Sequence, residues 1–171
     1  WGQGRRMSEL CGAVARVQLS KLPEIVGRMR ASKRRILDML AGTPGLSFRR
    51  LADPDGDTGA FIILMLDDAG RAMRAAERMQ QAGLGAAVRL EDYHLHIYFN
   101  ISALVDKVPL SPAGNPWSLP QNADSVYDYS RGACPVSDDL FARSVLVPVP
   151  SRLDEEQERR MADVIRAAVS A

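Results

Sequence analysis

The first forty residues place apolar side chains with the period of an α-helix. Between residues 7 and 19 they recur three and four positions apart, which predicts one amphipathic face. Pro23 suits the first turn of a second helix, where a missing N–H costs nothing. Another apolar stripe runs from there to Leu40, and Gly42 is typical of the residue just beyond a helix end. The pattern therefore predicts two consecutive helices. The first stripe consists of Leu10, Ala13, Val14 and Val17.

Strand and helix patterns alternate along the rest of the chain. A helix after the second strand takes Asp67 or Asp68 as its cap, and a last helix begins at the capping box of Asp154 and Gln157. This order predicts an α+β fold, with a small, mostly antiparallel sheet, helices on one face and a long helical segment in front. The predicted strands are 46–51, 59–66, 86–90, 95–100 and 144–149.

Residues 106–135 form a polar segment rich in proline, too long for an ordinary connection in a compact domain. It contains Trp117, Tyr127 and Tyr129, aromatic residues that disordered linkers tend to lack. We expect an ordered binding loop.

Composition excludes several classes of function. The net charge is +1, and arginines alternate with acidic residues rather than forming a block, so we expect no nucleic-acid partner. The longest apolar run, 60–66, has strand length, far from the ~20 residues that cross a bilayer. We expect no membrane association and a cytoplasmic location. Cys11 and Cys134 have no CxxC partner, which excludes a zinc ribbon or a disulfide framework; free, mostly buried thiols are expected.

Two stretches resemble a known family. One is Arg6-Met7-Ser8-Glu9-Leu10, continuing through Gln18-Leu19, and the other is Cys134-Pro135-Val136-Ser137-Asp138-Asp139-Leu140 followed by Arg143 to Pro150. They are similar to the segment that enters a helix, and to the closing motif, of DegT/DnrJ/StrS-type PLP-dependent sugar aminotransferases. Because the two stretches lie at opposite ends in the expected order, the resemblance spans essentially all 171 residues.

The resemblance implies a fold-type I aminotransferase, a homodimer that holds pyridoxal 5′-phosphate (PLP) on a lysine of its large domain. Residues 1–42 would be a helical segment linking to that domain, and residues 43–171 the small α+β C-terminal domain. The chain opens at Trp1 without a methionine, and we expect a fragment of a longer enzyme. Its lysines, Lys21, Lys33 and Lys107, lie outside the Ser-x-x-Lys context of the family. We therefore expect the chain to be inactive alone, with Leu10, Val14 and Val17 exposed where a large domain would pack.

The resemblance also implies candidate site residues. Arg6 occupies the position of an arginine that reaches the cofactor phosphate of the other subunit, and Gly4 stands where the family has asparagine. An ordinary surface ion pair is the alternative for Arg6. His96 and Tyr98 match a substrate-pocket position. Trp117 is a candidate for the same pocket, or else a hydrophobic plug.

His94 and His96 would share one side of a strand. Zinc binding by this pair lacks a nearby third ligand, and a hydrogen-bonded histidine at a sheet edge is the alternative.

The expected function is amino transfer, from glutamate or glutamine, to a keto sugar, a sugar nucleotide or a keto-cyclitol. One alternative is the dehydratase variant of the family, in which a histidine replaces the lysine. The other is a non-enzymatic binding or dimerisation module. It is favoured because the sequence shows no credible nucleophile, no pair of general-base residues and no metal cluster.

Overall fold

The computed structural model describes residues 6–111 and 114–170, which fold into helices and one small sheet. Short 3₁₀ turns at Leu90–Asp92, His94–His96 and Tyr98–Asn100 follow the third strand, and two more lie at Pro116–Ser118 and Pro120–Asn122. The α-helices are α1 (Glu9–Leu40), α2 (Ala69–Gln81), α3 (Ser102–Val105), α4 (Pro135–Ala142) and α5 (Glu155–Ser170). The strands are β1 (Ser47–Phe48), β2 (Phe61–Met65), β3 (Val88–Arg89) and β4 (Ser144–Pro148).

The four strands of the described residues form an antiparallel sheet in the order β1-β2-β4-β3. Its centre is the five-residue ladder of β2 and β4, in which Ile63 lies opposite Leu146. Strands β1 and β3 add only two residues each at the edges. The predicted α+β class with a small antiparallel sheet is confirmed.

One face of the sheet carries the core. Side chains alternate between faces along a strand, and those of Ile62 and Leu64 on β2 and of Val145 and Val147 on β4 are fully buried together. Helices α1, α2 and α5 contribute the remaining members of this cluster, so they pack on the same side. The helical members are Ile36, Leu40, Ala72, Ala75, Ala76, Met79, Met161, Ala162, Ile165, Ala168 and Val169.

The prediction of two helices before residue 42 is wrong, because α1 runs without a break through Pro23. Proline there removes one helical hydrogen bond, but the neighbouring residues are compatible with a helix. The Ser20 hydroxyl bonds the Val17 carbonyl, 2.8 Å away, within the same turn. The second half of α1 is held by packing: Ile36 and Leu40 lie in the core. One packed half is therefore enough to carry the helix past the proline.

The strand predicted at 95–100 is also wrong. This segment forms 3₁₀ turns, in which N–H groups bond carbonyls three residues earlier, such as His96 to Tyr93 and Asn100 to Ile97. Ile97 is buried, whereas Leu95 is 67% exposed, so the apolar residues of this segment do not mark a strand. Residues 135–142, for which the apolar pattern predicted no element, form helix α4 with Pro135 in its first turn.

The helix caps predicted at Asp68 and at Asp154 with Gln157, and the helix end predicted before Gly42, are confirmed. The Asp68 carboxylate accepts from the Arg71 N–H, and Asp154 and Gln157 exchange hydrogen bonds at the start of α5, at 2.8 and 3.0 Å. Gly42 and Gly83, just beyond α1 and α2, both have positive φ angles, as left-handed C-terminal caps require.

Helix α1 divides into two halves with different surroundings. Residues 25–40 are largely half-buried or buried, whereas residues 9–24 are almost all exposed. Leu10, Val14 and Val17 are 78%, 55% and 54% exposed, as expected for them. We call residues 9–24 the α1 arm. The link from residues 1–42 to a further domain stays a prediction. Among the described helices, none has the length and apolar character to cross a membrane.

Candidate functional site

Arg6 lies just before the α1 arm. Arg6 is exposed and lies two residues before Ser8, whose hydroxyl caps α1 by accepting from the Cys11 N–H at 3.2 Å. It makes no ion pair with the described residues. Gly4 lies outside the described residues.

His96 lies in the 3₁₀ turns rather than on a strand. Its ring stacks on Tyr93, with centroids 4.5 Å apart and planes 19° apart. His94 has a φ of 41°, the left-handed region in which non-glycine residues are uncommon. The expected placement of both histidines on one strand face is therefore wrong, and His96 instead presents an exposed ring stacked on its neighbour.

Tyr98 joins the predicted substrate segment to the closing motif. Its hydroxyl donates to Asp138 Oδ1 at 2.8 Å and accepts the Cys134 N–H at 3.2 Å. The second oxygen of Asp138 accepts the Gly132 N–H at 2.7 Å. Through these bonds, residues 98 and 132–138 form one unit despite a separation of about forty positions in the sequence.

Burial and the hydrogen bond to Asp138 raise the pKa of Tyr98, burial contributing the larger part. Loss of the phenolic proton would place a second negative charge beside Asp138. The hydroxyl is thus held as a neutral donor, which suits a positioning role rather than that of a base at neutral pH.

A charged cluster lies beside Tyr98. Glu91, with 10% of its side chain exposed, forms ion pairs with both Arg89 and Arg131. The Arg131 guanidinium lies over the Phe99 ring, 5.1 Å from its centroid, in a cation–π contact. Phe99 in turn meets Tyr98 edge to face. Arg131 therefore holds one exposed cationic head next to the aromatic surface of this segment.

Trp117 lies in a different cluster. Its indole N–H donates to the Tyr129 hydroxyl at 3.4 Å, and Tyr129 stacks on Tyr127 with centroids 6.4 Å apart. The described residues show no hydrogen bond or ring contact between Trp117 and His96 or Tyr98. These contacts order the middle of the long loop, but they do not bring Trp117 together with the other candidates.

Two further expectations concern cysteines and metals. Cys11 and Cys134 are both exposed, so the expectation of buried thiols is wrong. Cys11 lies on the solvated α1 arm, and Cys134 at the start of α4. Within residues 6–111 and 114–170, no three histidine, cysteine or acidic side chains are grouped as a metal site would require.

PLP needs a lysine amine and a phosphate partner. Lys33 Nζ is buried and pairs with Asp57 Oδ2 at 2.8 Å, while Lys21 and Lys107 are exposed, on α1 and in a turn. None of the three lysines is hydrogen-bonded to Tyr98 or to residues 132–138. Of the two residues in the predicted phosphate contact, Arg6 and Gly4, the structure describes only Arg6. Among residues 6–111 and 114–170, these side chains are not brought together at one site.

No protein-family model matches this sequence.

Asp138, Glu91 and Arg131 are site residues that the sequence did not single out. They lie about forty positions from the residues they bond, and no local spacing rule connects such partners. Asp138 did carry a signal, because it lies inside the closing motif. Glu91 and Arg131 read as ordinary surface charges.

Proposed function

We propose that this chain is the C-terminal small-domain portion of a PLP-dependent aminotransferase, fold-type I in architecture and cytoplasmic. The reaction would move an amino group from glutamate or glutamine to a keto sugar, a sugar nucleotide or a keto-cyclitol. The chain by itself would be inactive, and the active unit would be a homodimer.

The observation that carries the proposal is the α1 arm. A helix that exposes Leu10, Val14 and Val17 leaves an apolar stripe in solvent, and such a stripe supports contact with another part of the protein. Arg6, the arginine of the first family-like motif, lies at the outer end of this arm with no ion-pair partner among the described residues. The arrangement supports a role in which the arm packs on a large domain and delivers Arg6 to a phosphate.

The hydrogen bonds of Tyr98 are a second support for the proposal. The two regions that the resemblance relates to substrate and to the closing motif are joined by the bonds of Tyr98 to Asp138 and Cys134. In the proposed enzyme, Tyr98 would orient this segment and the exposed His96 and Arg131 would face substrate. An arginine head and aromatic faces suit an anionic sugar nucleotide.

The test uses the complete open reading frame from which this chain comes, beside the 171-residue chain itself. Each protein is incubated with PLP and reduced with borohydride, and the modified lysine is located by mass spectrometry. We expect one modified lysine upstream of Trp1 in the longer product and no specific modification of Lys21, Lys33 or Lys107. Amino transfer from glutamate and from glutamine to keto sugars is then measured.

Two outcomes would overturn the proposal. A longer product without a PLP-reactive lysine excludes transamination, and a histidine in its place favours the dehydratase variant. Stoichiometric labelling of Lys33 in the short chain would show that the cofactor is held here after all.

The exposed arm also favours a second candidate, a stand-alone binding or dimerisation module. The two candidates differ in what the short chain does alone. A module that dimerises through α1 gives a concentration-dependent dimer in sedimentation experiments, and Val14→Glu abolishes it. The aminotransferase proposal expects the dimer only in the longer product.

A further inference from the structure

An apolar cavity of about 360 Å³ lies between the turn after α2, the end of β4 and the first turns of α5. Its size falls in the range of about 300–1,000 Å³ typical of small-molecule sites. Its walls are mainly hydrophobic, and its apolar lining comes from Leu84, Pro148, Leu153, Met161 and Val164. None of the candidate site residues described above lines it.

Arg160 lines this cavity and has no ion pair or side-chain hydrogen bond within residues 6–111 and 114–170. Its guanidinium lies beside the turn, since a β-carbon built on Gly83 would be 3.7 Å from its Nη2. Many arginines of this chain, such as Arg35, Arg71, Arg89 and Arg143, do have acidic partners. Arg160 therefore offers an uncommitted bidentate donor at an apolar cavity.

The turn supplies two more donors. Gly85 and Ala86 line the cavity, and neither backbone N–H has an acceptor among the described residues. The turn that holds them is fixed at both ends, by the bond from the Leu84 N–H to the Met79 carbonyl at 2.8 Å and by that from the Gln80 amide to the Ala87 carbonyl at 2.7 Å. Backbone N–H groups that line the same cavity as a guanidinium are donors that suit an anion.

We propose that this cavity binds a small organic carboxylate with an apolar body. The carboxylate lies between the Arg160 guanidinium and the N–H groups of Gly85 and Ala86, and the apolar body contacts Leu153 and Val164. A carboxylate is favoured because its two oxygens match the planar fork of one arginine. The site stands apart from the proposed aminotransferase function and does not depend on it.

The test is a ¹H–¹⁵N NMR titration of the 171-residue chain with phenylacetate, with the neutral phenylacetamide and with inorganic phosphate. We expect phenylacetate to shift the amide signals of Gly83, Gly85 and Ala86 in a saturable way. Phenylacetamide, which keeps the shape and loses the charge, binds at least about tenfold more weakly. Phosphate lacks the apolar body, and we expect it to bind as weakly as phenylacetamide.

Arg160→Gln is the decisive variant, and we expect it to weaken phenylacetate at least about tenfold. Arg16→Gln removes the same charge from the exposed α1 arm and serves as the matched control, with unchanged affinity. Arg160→Lys keeps the positive charge but loses the planar, two-pronged guanidinium, so we expect an intermediate affinity. This variant replaces Arg160→Gln if the glutamine protein does not fold.

The proposal is overturned by the absence of saturable shifts with phenylacetate, by equal affinity for the acid and its amide, or by full affinity in both Arg160 variants. Phosphate binding as tight as that of phenylacetate would also overturn it, since the apolar walls would then contribute nothing.

Discussion

Glu158 carries a carboxylate into the core, with 1% of its surface exposed. Both of its oxygens accept from Arg35, at 2.6 Å each, and half of the Arg35 side chain is in solvent. The hydrogen bonds from Arg35 hold the pKa of Glu158 below its ordinary value of 4.5, against the opposing effect of burial. The pair ties the start of α5 to the packed half of α1.

Replacing Glu158 by glutamine tests this tie. Glu158→Gln removes the charge and one of the two acceptors, so we expect a loss of about 1.5–3 kcal/mol in the free energy of unfolding. Urea unfolding at pH 7 measures it. Glu156→Gln, an exposed neighbour on the same helix, is the control and should change little; equal losses in both variants would contradict the role assigned to the pair.

The same carboxylate sets a pH dependence. Because its folded pKa is lower than its unfolded value, its charge contributes stability above about pH 4.5, and this contribution is lost as the pH falls through the folded pKa. We expect the wild-type chain to lose stability on acidification more steeply than Glu158→Gln. Urea midpoints measured from pH 6 to pH 3 check this, and parallel curves for the two proteins would refute it.

Lys33 and Asp57 form a second, largely buried ion pair, with side chains 9% and 15% exposed. Asp57→Asn leaves the lysine charge uncompensated, and we expect a cost of about 3 kcal/mol or more. Adding Lys33→Met should restore part of the loss, since no buried charge then remains. Unfolding free energies of both singles and the double provide a double-mutant cycle, and simple additivity would show that the two side chains are not coupled.

At the scale of elements, the loop before β2 approaches α1 more closely than a side chain allows. Gly59 has a φ of +75°, and a β-carbon there would lie 2.5 Å from the backbone nitrogen of Arg30. Gly42 has nearly the same φ, +76°, but open space around it. The two glycines separate the cost of a left-handed backbone from the cost of a clash.

We expect Gly42→Ala to cost about 1–2 kcal/mol, the penalty of the left-handed conformation alone. Gly59→Ala adds a clash with helix backbone, which cannot move without disturbing the core, so its cost should exceed about 3 kcal/mol. Thermal and urea unfolding compare the pair. Similar losses at the two positions would mean that the loop moves away from α1 without difficulty.

The sequence correctly predicted the elements that depend on interactions between neighbouring residues. The caps at Asp68 and at Asp154 with Gln157, the central strand β4 and the class of the fold all depend on neighbouring residues. The prediction failed where contacts between residues far apart in the sequence determine the structure. Half of α1 is held by a core made elsewhere in the chain, so Pro23 does not end it, and the segment of His96 and Tyr98 lacks a partner strand.

The candidate site shows the same division. His96 and Tyr98 came from a motif resemblance, but the partners that hold Tyr98, Asp138 and the Cys134 N–H, lie across a long loop. Sequence spacing carries no information on such contacts. The resemblance named residues, and only three-dimensional folding determines which of them share an environment.

At the scale of the whole molecule, the chain combines a packed body with an unpacked arm. The body has one core, formed by one sheet face and three helices. The arm contributes nothing to this core, because almost all of its residues are exposed. Changes on the arm should therefore alter surface properties while leaving the stability of the body intact.

A triple variant, Leu10→Ser with Val14→Ser and Val17→Ser, tests this separation. We expect its free energy of unfolding to stay within about 0.5 kcal/mol of the wild type, because the three side chains are largely exposed and lie outside the core cluster. The fluorescence of an apolar dye such as ANS should fall strongly, because these residues form a continuous apolar stripe on one helix face. The control removes scattered exposed apolar residues instead, with Leu110→Ser, Val126→Ser and Val136→Ser, which are 98%, 95% and 74% exposed in the wild type. The control should lower dye binding less than the arm variant does. Equal losses would mean that exposure alone, and not the stripe, determines dye binding, and they would contradict the proposal that the α1 arm is an interaction surface.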